Sequence, residues 1–211
     1  MKPTLDRYAW TGIIIKLALG LLGLSAIVTE IAVLSERDAF APARFFGYFT
    51  ILSNLLVAIV LIVSAVLTAA GCGRLVDAFR GATTTYVLVV GIGFSVLLAG
   101  LDDLVFTAVP WDNIVLHYVV PIGALVDLLV DPPRRLRLRR SLVWLAFPLG
   151  YLAVSLVRGE ITGWYPYPFL DPETDGGAAV AGTSAGLLLL GVLLIWGVCL
   201  LSGRGRQAAA D

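Results

Sequence analysis

Charge is what this sequence has least of. Asp, Glu, Lys and Arg make up 14% of its 211 residues, where a soluble domain carries about a quarter. The 15 basic and 15 acidic side chains cancel, and no basic face of the kind a nucleic-acid binder presents is visible, so no nucleic-acid partner is expected. One histidine and two cysteines are too thin a set for zinc or a disulfide scaffold, and the reading is of a protein without metal or cofactor. The alternating strands of a membrane barrel, about 10 residues each, are missing. So are an internal repeat and a small-residue cleavage site behind the first hydrophobic stretch, which therefore reads as an anchor rather than a leader. What the chain has is apolar side chains, 59% of the total, with a mean hydropathy of +0.92. This is the composition of an integral membrane protein.

A helical span needs about 20 mostly apolar residues, and six stretches qualify: 11–34, 45–70, 82–108, 111–130, 141–157 and 178–201. Backbone amides in lipid must be satisfied within the segment, so long unbroken runs are helices. The fold expected is all-α, one six-helix transmembrane domain over residues 1–211. Lys2, Arg7, Arg74, Arg80, Arg134, Arg135, Arg137, Arg139, Arg140, Arg204 and Arg206 fall on one side, against Arg37, Arg44 and Arg158 on the other. That asymmetry puts both termini in the cytoplasm of a multi-pass protein of the cell membrane. Lys16 stands inside the first span, where its stem can snorkel to the near interface. Cys72 and Cys199 lie at cytoplasmic helix ends, where thiols stay reduced.

Ionisable and polar groups inside a bilayer are expensive and mark candidate sites. With the second span entering at Phe45, Thr50 lies about 7.5 Å along it, and Ser53 and Asn54 share its face at helical spacing. The fourth span enters from the same side, and the single histidine, His117, lies about 9 Å along it. Glu30 near the end of the first span, and Ser95, Asp102 and Asp103 near the end of the third, sit at the same level. The other leaflet offers only Asp127. A histidine can take the proton of a hydroxyl and turn it into a nucleophile for an acyl carbon. Thr50 or Ser53 fits that role, with a carboxylate or Asn54 to orient the imidazole and Asn54 or a backbone amide for the oxyanion. The plainer reading is that Thr50 bonds back to its own helix and His117 only joins two helices.

Between the last two spans runs ITGWYPYPFLD, where Trp164, Tyr165, Tyr167 and Phe169 alternate with Pro166 and Pro168. Proline keeps it from being helical. It reads either as an interfacial aromatic belt or as a rigid lid over the polar cluster. The Arg134–Arg140 turn reads as a topology determinant, and Gly182 and Gly186 as a small-xxx-small packing pair.

The segments FFGYFTILSNLL (Phe45–Leu56) and NIVLHYVVPI (Asn113–Ile122), followed by YPYPFL, resemble the androgen-induced family of six-span membrane proteins, in its bacterial branch. The similarity runs in order through most of the chain from the second span onward. The animal members of that family hydrolyse fatty-acid esters of hydroxy fatty acids as threonine hydrolases, with a threonine in the second span and a histidine in the fourth. The resemblance implies those roles for Thr50 and His117, a lipid ester as substrate, membrane lipids as partners and a bacterial plasma membrane as location. The competing readings are a lipid-binding or proton-coupled transporter built on His117, Glu30, Asp102 and Asp103, and a structural subunit whose polar residues lock helices together.

Overall fold

The computed structural model describes residues 7–101 and 107–203, and among them there is no strand. Six helices are long and apolar enough to cross a membrane: α1 (Arg7–Glu36), α2 (Phe49–Ala69), α3 (Asp77–Leu97), α4 (Pro110–Val130), α5 (Leu138–Thr162) and α6 (Gly177–Leu201). The chain is a helical multi-pass membrane protein. α1 packs along α2, α2 along α3, α3 along α4, and α4 back onto α1. These four helices form the central bundle, with α6 laid against the outside of α3. Large apolar side chains such as Ile14, Val66, Val96, Val154 and Leu189 remain exposed, which suits lipid as the surrounding solvent.

Several boundaries differ from the sequence reading, each for a local reason. The second span starts at Phe49 rather than 45, because Pro42–Phe45 closes its own short turn and Tyr48 is extended at ψ 131°. The third starts five residues earlier, at Asp77, and stops at Leu97. Hydropathy placed Asp77 and Arg80 in a loop, but each is buried against a partner. The fifth runs from Leu138 to Thr162, longer than expected, with Arg139 in its first turn and Arg158 just before its last. Asp102 and Asp103 lie outside the described residues.

The start of α1 and the ends of α4 and α6 meet at one end of the bundle. Gly203 N–H donates to Pro133 O at 2.8 Å, and Ser202 Oγ accepts from Leu136 N–H at 2.9 Å. Here the expectation for Lys16 is overturned. It is fully buried and does not reach the interface: its Nζ lies 2.9 Å from both Asp127 Oδ1 and Asp131 Oδ2. Arg80 faces Asp127 at 2.7 Å, with Asp77 and Asp131 at 3.3 Å. Arg74 approaches Asp77 and Asp131 from outside, at 3.7 and 3.6 Å. Asp127 is thus one of three carboxylates facing three cations, and this leaflet is far from bare. A lysine whose partner waits inside the protein does better to pair there than to stretch toward water. Asp131, just beyond α4, stays charged below its ordinary carboxyl range: burial opposes this, but Arg80, Lys16 and Arg74 outweigh it.

Gly182 and Gly186 do not serve as a packing pair within the chain, since nothing among the described residues lies within 4 Å of a side chain added at either. Close approach occurs instead at Gly91 on α3. A Cβ there would sit 2.8 Å from His117 O, so only glycine lets α3 reach the functional stretch of α4.

Candidate active site

Three segments converge on Thr50. Because α2 begins at Phe49, Thr50 occupies the first turn of a 21-residue helix, where unpaired N–H groups and the positive end of the helix dipole face outward. The sequence reading had set it a full turn deeper. Its Oγ1 lies 3.3 Å from His117 Nε2 and 3.2 Å from Tyr167 Oη, and its N–H donates to Tyr167 Oη at 3.2 Å. All three side chains are nearly or fully buried.

The proton positions follow from the partners. His117 Nδ1 is 3.0 Å from Asn113 O, and a carbonyl can only accept, so Nδ1 carries the hydrogen. In a neutral imidazole that leaves Nε2 as an acceptor aimed at Thr50 Oγ1. Tyr167 Oη accepts from the Thr50 amide and has one hydrogen left to give, to Thr50 Oγ1. Burial pushes the Tyr167 phenol above its ordinary value, so that hydrogen stays on. The bonds therefore run in one direction: Tyr167 O–H to Thr50 Oγ1, Thr50 O–H to His117 Nε2, His117 Nδ1–H to Asn113 O.

The shape of α4 makes this possible. Val115–Val119 form a π turn, with Val120 N–H reaching back to Val115 O, and Pro121 brings no N–H of its own. Such wide turns often occur at functional positions. The missing donor comes from α2, where Asn54 Nδ2 donates to Leu116 O at 3.2 Å and to Thr50 O at 2.9 Å. Asn54 is thereby a tie between the two helices. Both its N–H groups are engaged on carbonyls, so it neither orients the imidazole nor holds an oxyanion. The orienting group is the Asn113 carbonyl, and the ring is further fixed by Phe94, stacked at 3.9 Å between centroids.

The remaining candidates separate. Ser53 is buried, and its Oγ finds no hydrogen-bond partner among the described residues; it is not brought to His117. Ser95 bonds back to Gly91 O on its own helix at 2.8 Å. Glu30 lines a cavity with Thr50, His117 and Tyr167, and its two carboxylate oxygens accept from Ala108 N–H at 2.8 and 3.0 Å. Asp112, which the sequence reading placed within the fourth span without singling it out, is fully buried beside Glu30 and within electrostatic reach of the His117 ring. Its place on the first turn of a span was the only signal available.

Of the four loop aromatics, Tyr167 alone bonds to Thr50. Phe169 stacks on it at 5.1 Å and 4°. Trp164 lies under the Arg158 guanidinium at 4.2 Å and edge-on to Tyr48 at 5.7 Å. Tyr165 presses its ring onto Gly159. The loop is a packed cap, and one of its side chains belongs to the site beneath it.

Two cavities share Thr50 and Tyr167 as part of their walls. The outer one, of about 390 Å³, carries Glu30, Arg37, Arg44 and His117. The inner one, of about 100 Å³, is almost wholly apolar and runs between α3, α5 and α6. No group of three or more metal-ligating side chains occurs among the described residues. No family model, curated protein or solved structure matches the chain.

Proposed function

We propose that this chain is an integral membrane lipid esterase. It hydrolyses fatty-acid esters of hydroxy fatty acids or related lipid esters, with Thr50 as nucleophile and His117 as general base. The observation that carries this reading is the directed chain of hydrogen bonds through Thr50 Oγ1, which leaves His117 Nε2 free of its own hydrogen and pointed at the hydroxyl. A threonine serving only its own helix has no need of an imidazole in the correct tautomer and a phenol on its other side.

In the first half-reaction His117 Nε2 takes the Thr50 proton as Oγ1 attacks the ester carbonyl carbon. The C–O bond to the alcohol then breaks, and His117 gives its proton to the departing oxygen. The acyl group is left on Thr50 and the alcohol is released. In the second half, His117 takes a proton from water as the water oxygen attacks the acyl carbon. That proton returns to Thr50 Oγ1, and a carboxylic acid leaves. Negative charge on the tetrahedral oxygen is met by the Tyr167 hydroxyl and the N-terminal end of α2. The buried Asp112 faces the positive imidazole formed in each half. The substrate reaches the site from the surrounding leaflet, and water enters through the outer chamber. The site lies at the outer side of a bacterial plasma membrane if both termini are cytoplasmic, as the arginine asymmetry suggests.

The test is ester hydrolysis by purified protein in detergent, with wild type, Thr50→Ala and His117→Ala compared and each melted thermally. Loss of activity in two well-folded variants is the expected result; a wild type inert on every ester overturns the reading. The buried ionic cluster at the other end of the bundle favours a second reading, a proton-coupled transporter. Proton-driven uptake into proteoliposomes that Asp127→Asn abolishes would decide for it.

A further inference from the structure

The inner cavity has no part in the steps above except where it touches Thr50, yet it is long and built in a particular way. On α3 it extends from Leu98 to Thr85, and on α6 from Ser184 to Ile195, about 20 and 16 Å at the helical rise. Its wall hydroxyls are turned away from the space. Thr85 donates to Gly81 O at 2.9 Å, Tyr86 to Trp144 O at 2.8 Å and Tyr151 to Gly47 O at 2.9 Å. Only Ser184, at the outer end, has a hydroxyl without a partner among the described residues. Water needs two or more polar partners to occupy a cavity, and apolar cavities stay dry. Methylene groups need none. The long dimension of the cavity is hollowed at two levels by glycine: Gly93, next to Phe94 and the imidazole, and Gly191, one helical turn above Ile195.

We infer that this cavity is the acyl-chain channel of the enzyme, and that its floor at Thr85, Gly191 and Ile195 sets the longest chain whose carbonyl still reaches Thr50. The inference rests on the reading of Thr50 as the acyl acceptor, and it commits the apolar channel to the acyl part of the ester and the outer chamber to the leaving alcohol and water. It makes Gly93 and Gly191 specificity-determining positions. A Cβ at Gly93 would stand 3.5 Å from Leu187, and one at Gly191 3.4 Å from Leu145, so small additions fit the packing and larger side chains extend into the channel.

The experiment measures hydrolysis of p-nitrophenyl butyrate, octanoate and palmitate by wild type, Gly93→Leu and Gly191→Leu, each checked by a thermal melt. Gly191→Leu should lower the palmitate rate relative to butyrate by about tenfold or more and spare octanoate. Gly93→Leu, blocking higher up, should lower both octanoate and palmitate. If Gly93→Leu does not fold, Gly93→Ala and Gly93→Val serve in its place. Equal losses on all three esters, no loss on any, or a block at Gly93 that spares longer chains than one at Gly191 would each overturn the inference. If wild type hydrolyses no ester, the esterase reading fails, and the channel is tested alone with palmitic acid carrying a terminal diazirine. Crosslinking near Ile195 that Gly191→Leu abolishes would uphold the channel; crosslinking that Gly191→Leu leaves unchanged would end it.

Discussion

Replacing Asp127 with asparagine removes one negative charge from a place where two cations depend on it. Lys16 and Arg80 are 0% and 1% exposed and reach Asp127 at 2.9 and 2.7 Å. The substitution keeps the shape of the side chain, so no cavity term enters. What it leaves is Lys16, Arg80 and the half-exposed Arg74 facing only Asp77 and Asp131, one cation more than there are carboxylates. Breaking a buried pair from one side costs about 3–5 kcal/mol. The lower end applies here, because Asp131 still faces both cations. For a chain of this size a loss of about 3 kcal/mol is a drop in Tm of roughly 6–12 °C. The assay is thermal unfolding in detergent of wild type, Asp127→Asn, Lys16→Met and the double variant. The double removes one charge of each sign, so it should melt above Asp127→Asn alone, with a coupling of about 0.5–3 kcal/mol. Ester hydrolysis per folded molecule should be unaffected, as the cluster lies about 15 Å along α4 from His117. A Tm unchanged in Asp127→Asn, or losses that simply add in the double variant, would refute the claim that these charges are mutually compensated.

Tyr167→Phe keeps the ring stack on Phe169 but removes the hydroxyl between Thr50 N–H and Oγ1. Its kcat should fall by about 10²-fold, the scale of a lost oxyanion donor, with KM little changed in steady-state kinetics. The folded-state pKa of Asp131 lies below its ordinary 3.8, so its contribution to stability is complete above about that pH and disappears as pH falls through the lower folded value. In melts taken from pH 7 downward, Asp131→Asn should therefore lie below wild type at neutral pH and converge with it in acid.

The six spans were legible because hydropathy over about 20 residues is a strong signal in lipid. Thr50 and His117 were legible because depth can be counted from a helix entry, although the count placed Thr50 too deep by missing the break at Tyr48. The work of Asn54 was not legible: it depends on which carbonyl of α4 Pro121 leaves open, a matter of helix register rather than composition. Tyr167 read as one of four equivalent aromatics, and only the path of the loop singles it out. The pairing of Lys16 with Asp127 and Asp131 joins residues more than a hundred positions apart. A hydropathy reading treats each buried charge as a cost on its own helix, whereas the attraction between two such charges offsets much of that cost when their helices are neighbours. Complementary charges at matching depth in separate spans were the clue that could have found it.

Asn54 fastens α2 to α4, so Thr50 and His117 belong to one rigid piece, while Tyr167 arrives on a loop fastened elsewhere, through Trp164 and Arg158. Withdrawal of Tyr167 would break its two hydrogen bonds to Thr50 and its edge contact with Tyr48, and would leave the hydrogen bond between Thr50 and His117 in place. In the proposed reaction an ester arriving from the leaflet finds that pair already set, with the phenol as the separate third group on Thr50.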